Sequence, residues 1–87
     1  MSFNEQSNMA VFTTKFVVQD NSPVVFVSHD DDGSWQFLSR EGASMENAML
    51  ISLREIMNID NSLIQLADLP LGSSATRISK EDNWLKK

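Results

Sequence analysis

Residues 24–38 read VVFVSHDDDGSWQFL. Val24 to Ser28 is apolar on both parities, the mark of a strand with neighbours on both sides. Trp35 and Phe37, two apart, share one face of a following strand. Asp32-Gly33 between the two patterns is a hairpin signal, although the loop His29–Ser34 is longer than a two-residue turn.

Working outward, Val11–Gln19 (VFTTKFVVQ) is rich in β-branched and aromatic residues and reads as a strand. Asp20-Asn21-Ser22-Pro23 reads as a turn. Strands at 11–19, 24–28 and 35–39 then form a meander. Residues 43–59 allow two readings. Met45, Ala48, Met49, Leu53, Ile56 and Met57 fit one long helix by spacing. A strand at 48–51 followed by a helix from Leu53 fits the capping box Ser52-Leu53-Arg54-Glu55 and accounts for Leu50 and Ile51, which fall off the helical stripe. The second reading is preferred. Asp60 or Asn61 caps a further turn over 62–67, ended by Pro70 and Gly72. Ser73–Ser79 reads as a weak strand. Trp84 is placed to dock the C-terminus onto the domain. The expected fold is α+β: an antiparallel sheet of four or five strands with one or two short helices on one face. Residues 1–10 are expected to be loosely held and 11–87 to form the single domain.

Composition narrows the function. The chain has 87 residues, 12 acids against 7 Lys plus Arg, and no cysteine. A formal charge of -5 argues against a nucleic-acid-binding surface, which needs clustered cations. Without cysteine, disulfide scaffolds, zinc-thiolate sites and thiol catalysis are excluded. No secretory leader and no membrane-length apolar run is read, so the expected location is the cytoplasm. The three glycines, Gly33, Gly42 and Gly72, are too far apart for a phosphate loop. No cofactor and no catalytic residue is expected. Ser28-His29 is a poor nucleophile–base pair, because adjacent strand residues point to opposite faces.

The run Asp30-Asp31-Asp32 is the most distinctive local chemistry. One reading is a solvated hairpin turn. Another is a charged contact surface for a protein partner. A third is a divalent-cation site using His29, Asp30 and Asp32, with Asp68 as the best distant ligand. The calcium-loop spacing of an EF-hand fails. With Gly33 at position 6, positions 1 and 12 fall on Ser28 and Ser39. Trp35, Phe37 and the methionines Met45, Met49 and Met57 are read as core before they are read as a contact face, since so short a chain has little apolar mass to spare. Arg40, Arg54 and Arg77 are expected to pair with carboxylates in exposed, weakly stabilising contacts.

SHDDDGSWQFL (28–38), ISLREI (51–56), LADLPLG (66–72), ATRIS (75–79) and Trp84 together resemble a group of small bacterial proteins whose function is unassigned. The resemblance covers about residues 22–85. It marks Ser28, His29, Asp30, Asp32, Gly33, Trp35, Gln36, Phe37, Asp68, Pro70, Gly72, Arg77 and Trp84. The chain departs from that pattern where Ser73-Ser74 replaces an aromatic expected soon after Gly72. The resemblance implies the strand-then-helix arrangement of residues 48–58. It also implies a kinship with immunity proteins that neutralise toxins of bacterial competition.

The leading expectation is therefore a non-enzymatic interaction domain that binds a protein, a basic toxin being the natural candidate, through Asp30, Asp31 and Asp32. A metal-dependent domain is the alternative. A homodimer formed by an exposed sheet edge is compatible with both.

Overall fold

A computed structural model of the protein describes residues 8–87. Its elements are β1 (Ala10–Thr14), α1 (Lys15–Val18), β2 (Phe26–His29), β3 (Trp35–Leu38), β4 (Ala48–Ser52) and α2 (Leu53–Ile59). A 3-10 helix (Asn61–Leu66), β5 (Ser73–Thr76) and β6 (Leu85–Lys86) follow. All six strands join one sheet in the order β4-β1-β3-β2-β5-β6.

The α+β class holds, but the sheet is mixed rather than antiparallel and has six strands rather than four or five. It is also not a meander: β1 lies beside β3, parallel to it, with Phe12 opposite Gln36. The reason lies in the segment read as the end of the first strand. Residues 15–18 close a helical turn, with Gln19 and Asp20 both donating to the Lys15 carbonyl. Val17 is thereby fully buried in the core, so tertiary packing overrides the β-propensity of Phe16, Val17 and Val18. Residues 15–25 then carry the chain two strand positions away before β2 begins, which leaves a gap beside β1. The hairpin β2–β3 returns β3 into the gap beside β1. A tight turn at 20–23 would have paired β1 with β2 instead.

Downstream, local signals decide the structure. β4 runs antiparallel to β1 and ends at Ser52, whose hydroxyl accepts from the Glu55 amide at 3.1 Å. The Glu55 carboxylate accepts in return from the Ser52 amide, which completes the capping box and starts α2. Asp60 caps the 3-10 helix by accepting from the Ser62 amide. The weak strand is shorter than expected, 73–76.

The sheet has two unlike faces. Val11, Val27, Trp35, Phe37, Ile51 and Ala75 form one cluster with Val17, Leu53, Ile56, Leu63 and Leu66 from the helices. Trp84 packs against the same cluster, which ties down the chain end. The opposite face carries Phe12, Phe26, Gln36, Leu38 and Leu50, with Phe12 44% and Leu50 60% exposed. Of the methionines, Met57 packs on the core while Met45 is exposed. Within the segment expected to be loose, residues 1–7 lie outside those described. Met9 packs on the core and its carbonyl accepts from the Leu53 amide.

Candidate functional site: the β2–β3 loop and its buttress

The strand alternation of β2 sends neighbouring side chains to opposite faces. His29 pairs with Trp35 and its ring stacks on the indole at 3.9 Å, interplanar angle 12°, on the covered face. Its Nδ1 lies 2.7 Å from the Leu69 carbonyl oxygen. A carbonyl only accepts, so Nδ1 carries the proton in this contact. Ser28 pairs with Gln36 on the other face. There the Asp30 carboxylate accepts from Ser28 Oγ at 2.9 Å and from Gln36 Nε2 at 2.8 Å, bridging the two strands.

The loop closes on its own backbone. The Asp30 amide donates to the Ser34 carbonyl, and the Gly33 amide to the Asp30 carbonyl. Gly33 takes a φ of 91°, which a residue with a Cβ resists. Asp32 Oδ1 accepts from the Ser34 amide at 2.9 Å. Hydrogen bonds from the Ser34 backbone and side chain hold the Asp32 carboxyl below the usual carboxylate range. Asp31 and Asp32 are exposed, whereas Asp30 is half-buried.

The loop rests on the LADLPLG segment, some forty residues away. His29 bonds Leu69, and the Gly72 amide donates to the His29 carbonyl at 2.6 Å. Gly72 sits directly beneath Asp31: a Cβ built there would lie 2.6 Å from Asp31 Oδ1. Gly72 also has a φ of 78°. The structure thus brings together the two best-marked motifs of the sequence resemblance. A prediction separates the two roles of Gly72. Gly33→Ala suffers only backbone strain, since no atom lies within 4 Å of its Cβ position. That strain amounts to about 1–2 kcal/mol. Gly72→Ala is expected to lose as much and also to push aside the exposed Asp31 carboxylate, which can rotate away at little cost. In urea titrations the two variants should therefore lose similar stability, while Gly72→Ala alone should shift the Asp31 resonances. Unmoved Asp31 resonances in Gly72→Ala would show that the Asp31–Gly72 approach is immaterial.

The other marked residues divide differently. Asp68 lies 3.2 Å from Lys86 Nζ in a half-exposed pair. Arg77, expected in an exposed contact, is buried. Its Nη2 meets Asp60 Oδ2 at 2.8 Å, its Nε donates to the Val24 carbonyl, and its Nη1 donates to the Lys80 carbonyl. The guanidinium stacks on Trp84 at 4.3 Å. Burial would raise the Asp60 pKa; hydrogen bonds from Ser62 and Arg77 and the Arg77 charge outweigh it and hold the carboxyl low. Sequence spacing gives no sign of this pair.

The proposed metal ligands do not converge. His29 faces Trp35 and Leu69, while Asp30 faces Ser28 and Gln36 on the opposite side. Among the described residues no group of three His, Cys, Asp or Glu side chains is placed to hold an ion. The same alternation separates Ser28 from His29. Two shallow depressions of about 230 Å³ flank Ser22 and Pro23, and neither is lined by the loop. Among the described residues no helix is long and apolar enough to cross a membrane.

No protein-family model, curated protein or solved structure matches the chain.

Proposed function

We propose that this chain is a non-enzymatic protein-interaction domain, of the immunity type that the sequence resemblance suggests, and that it binds a basic partner through the β2–β3 loop. The observation that carries this reading is the division of labour among the three aspartates. Asp30 is spent internally on Ser28 and Gln36, which fixes the loop. Asp31 and Asp32 are left exposed at its tip. A loop buttressed by His29, Leu69 and Gly72 presents its charges with little ordering left to be done on binding. With a formal charge of -5 the chain also attracts cationic proteins at long range.

The predicted signature is kinetic. The partner is first captured by a photo-reactive residue at position 31. The association rate of Asp31→Asn/Asp32→Asn with that captured protein is then measured against the unchanged chain. In low salt the variant should associate about tenfold more slowly. In high salt, where the charges are screened, the two should converge. Equal rates in low salt would remove the loop from the contact surface. Asp30→Asn, by contrast, should act through loop order, and its effect should persist in high salt.

A further inference from the structure

The sheet face opposite the core carries an exposed apolar run across four neighbouring strands, β4, β1, β3 and β2. On it Leu50 lies opposite Phe12, and Leu38 opposite Phe26. Phe12 is 44% and Leu50 60% exposed, while Leu38 and Phe26 are half-buried. The run stops at β5, which presents only the hydroxyls of Ser74 and Thr76 beside Ser28 and Phe26. None of the four strands has a charged side chain on this face. The acidic loop borders one side of the run. Gln36 lies opposite Phe12, and the Asp30 carboxylate accepts from Gln36 Nε2 on the same face. At the other ends of the strands Lys15 and Arg40 are matched in number by Glu41 and Glu46. The field along the run is therefore negative on the loop side alone.

We infer that this run seats an amphipathic helix of the basic partner, with the helix's lysines and arginines along the side that meets the loop. This rests on the reading above, that a basic protein binds the β2–β3 loop, and supplies the apolar half of that contact. Charge chooses the occupant first. An uncharged apolar run with acids along one side is complementary to an apolar stripe with cations along one flank. The same acids repel an anionic lipid surface. Shape agrees. Three strand spacings of about 4.8 Å span about 15 Å, the rise of about ten helical residues. The run is about two side chains wide along the strands, which one helix about 10 Å across covers. Anchors at i, i+4 and i+7 then meet one strand after another.

A second copy of the chain fits neither feature. It adds another charge of -5. The run offers an area on the order of 200 Å², far below the roughly 800 Å² per partner of a stable face-to-face interface. A helix needs no such area from the run alone, because its cationic flank engages the loop as well. Leu85 and Ile78, past the hydroxyls of β5, lie outside the helix footprint.

The test uses the protein captured from position 31. A photo-reactive residue at position 50 should link that same protein. The linked segment should have apolar residues at helical spacing and Lys or Arg along one flank. Made as a synthetic peptide, it should gain helical circular dichroism on binding the chain. Leu50→Ser should release the captured protein about tenfold faster, in low and high salt alike, because it removes an apolar anchor rather than a charge. Leu85→Ser, at a similarly exposed site on the β6 edge, should not. Both sites are exposed, so both variants should keep the circular dichroism spectrum of the unchanged chain. If position 31 gives its adduct but Leu50→Ser releases the protein no faster than Leu85→Ser, the helix seat is overturned and the loop reading stands. A linked peptide that binds without becoming helical overturns the seat as well. No adduct from position 31 removes the loop reading and the helix seat together.

Discussion

Replacing Arg77 with Met is expected to cost about 3–5 kcal/mol, the loss typical of breaking a buried ion pair by removing one partner. A chain of this length has a total stability of roughly 4–13 kcal/mol, so the variant should be near or past its unfolding threshold. Three contacts are lost together: the bond to Asp60 and the bonds to the Val24 and Lys80 carbonyls. Asp60 is then left buried and unpaired. Arg77→Lys should fare little better, because one ammonium cannot serve three directions. Adding Asp60→Asn to Arg77→Met keeps the cap on Ser62 and removes the stranded charge. The double variant should therefore be about 1–2 kcal/mol more stable than the sum of the single losses implies. Strict additivity in urea unfolding would show that the pair is not coupled.

The same pair shapes the response to acid. The folded-state pKa of Asp60 is depressed, so its contribution is present above the unfolded value, about 3.9. It is lost as pH falls from there through the lower folded value. Asp60→Asn should lack that part of the acid limb while keeping the parts due to other carboxylates.

Trp35→Ala is expected to cost about 3–5 kcal/mol, since the side chain is fully buried between His29 and Phe37. The more telling variant is Trp35→Phe, which stays folded but offers His29 a smaller ring. Amide exchange at 30–34 should quicken in it, while exchange in β4, separated from β3 by β1, should not. Unchanged protection of the loop would mean that the stack on Trp35 does not support it. Unfolding followed by circular dichroism avoids the loss of one of the two tryptophan signals.

What could be read in advance follows the range of the interactions. The Ser52–Glu55 box and the Asp60 cap are contacts within three residues, and both stand where the sequence puts them. The alternation of Trp35 and Phe37 likewise places both in the core. The position of β1 could not be read, because it depends on where residues 15–25 set the chain down. Val17, as a β-branched residue, argues locally for the wrong element. Arg77 and Asp60 are seventeen residues apart with no periodic relation, so their meeting is visible only once β5 lies beside β2. At the loop, alternation alone already sets Ser28 against His29. What it cannot show is that Asp30 turns inward to Ser28 and Gln36, or that residues 69–72 arrive beneath it.

The central claim is that Asp31 and Asp32 face a protein partner. Photo-cross-linking in living cells tests it most directly, with the reactive residue placed in turn at position 31 and at position 78. Ile78 is 78% exposed and follows the end of β5 that pairs with Phe26, away from the His29 end and the loop. The account predicts one discrete adduct to a basic protein from position 31 and none from position 78. No adduct from position 31, or the same adducts from both positions, would contradict it.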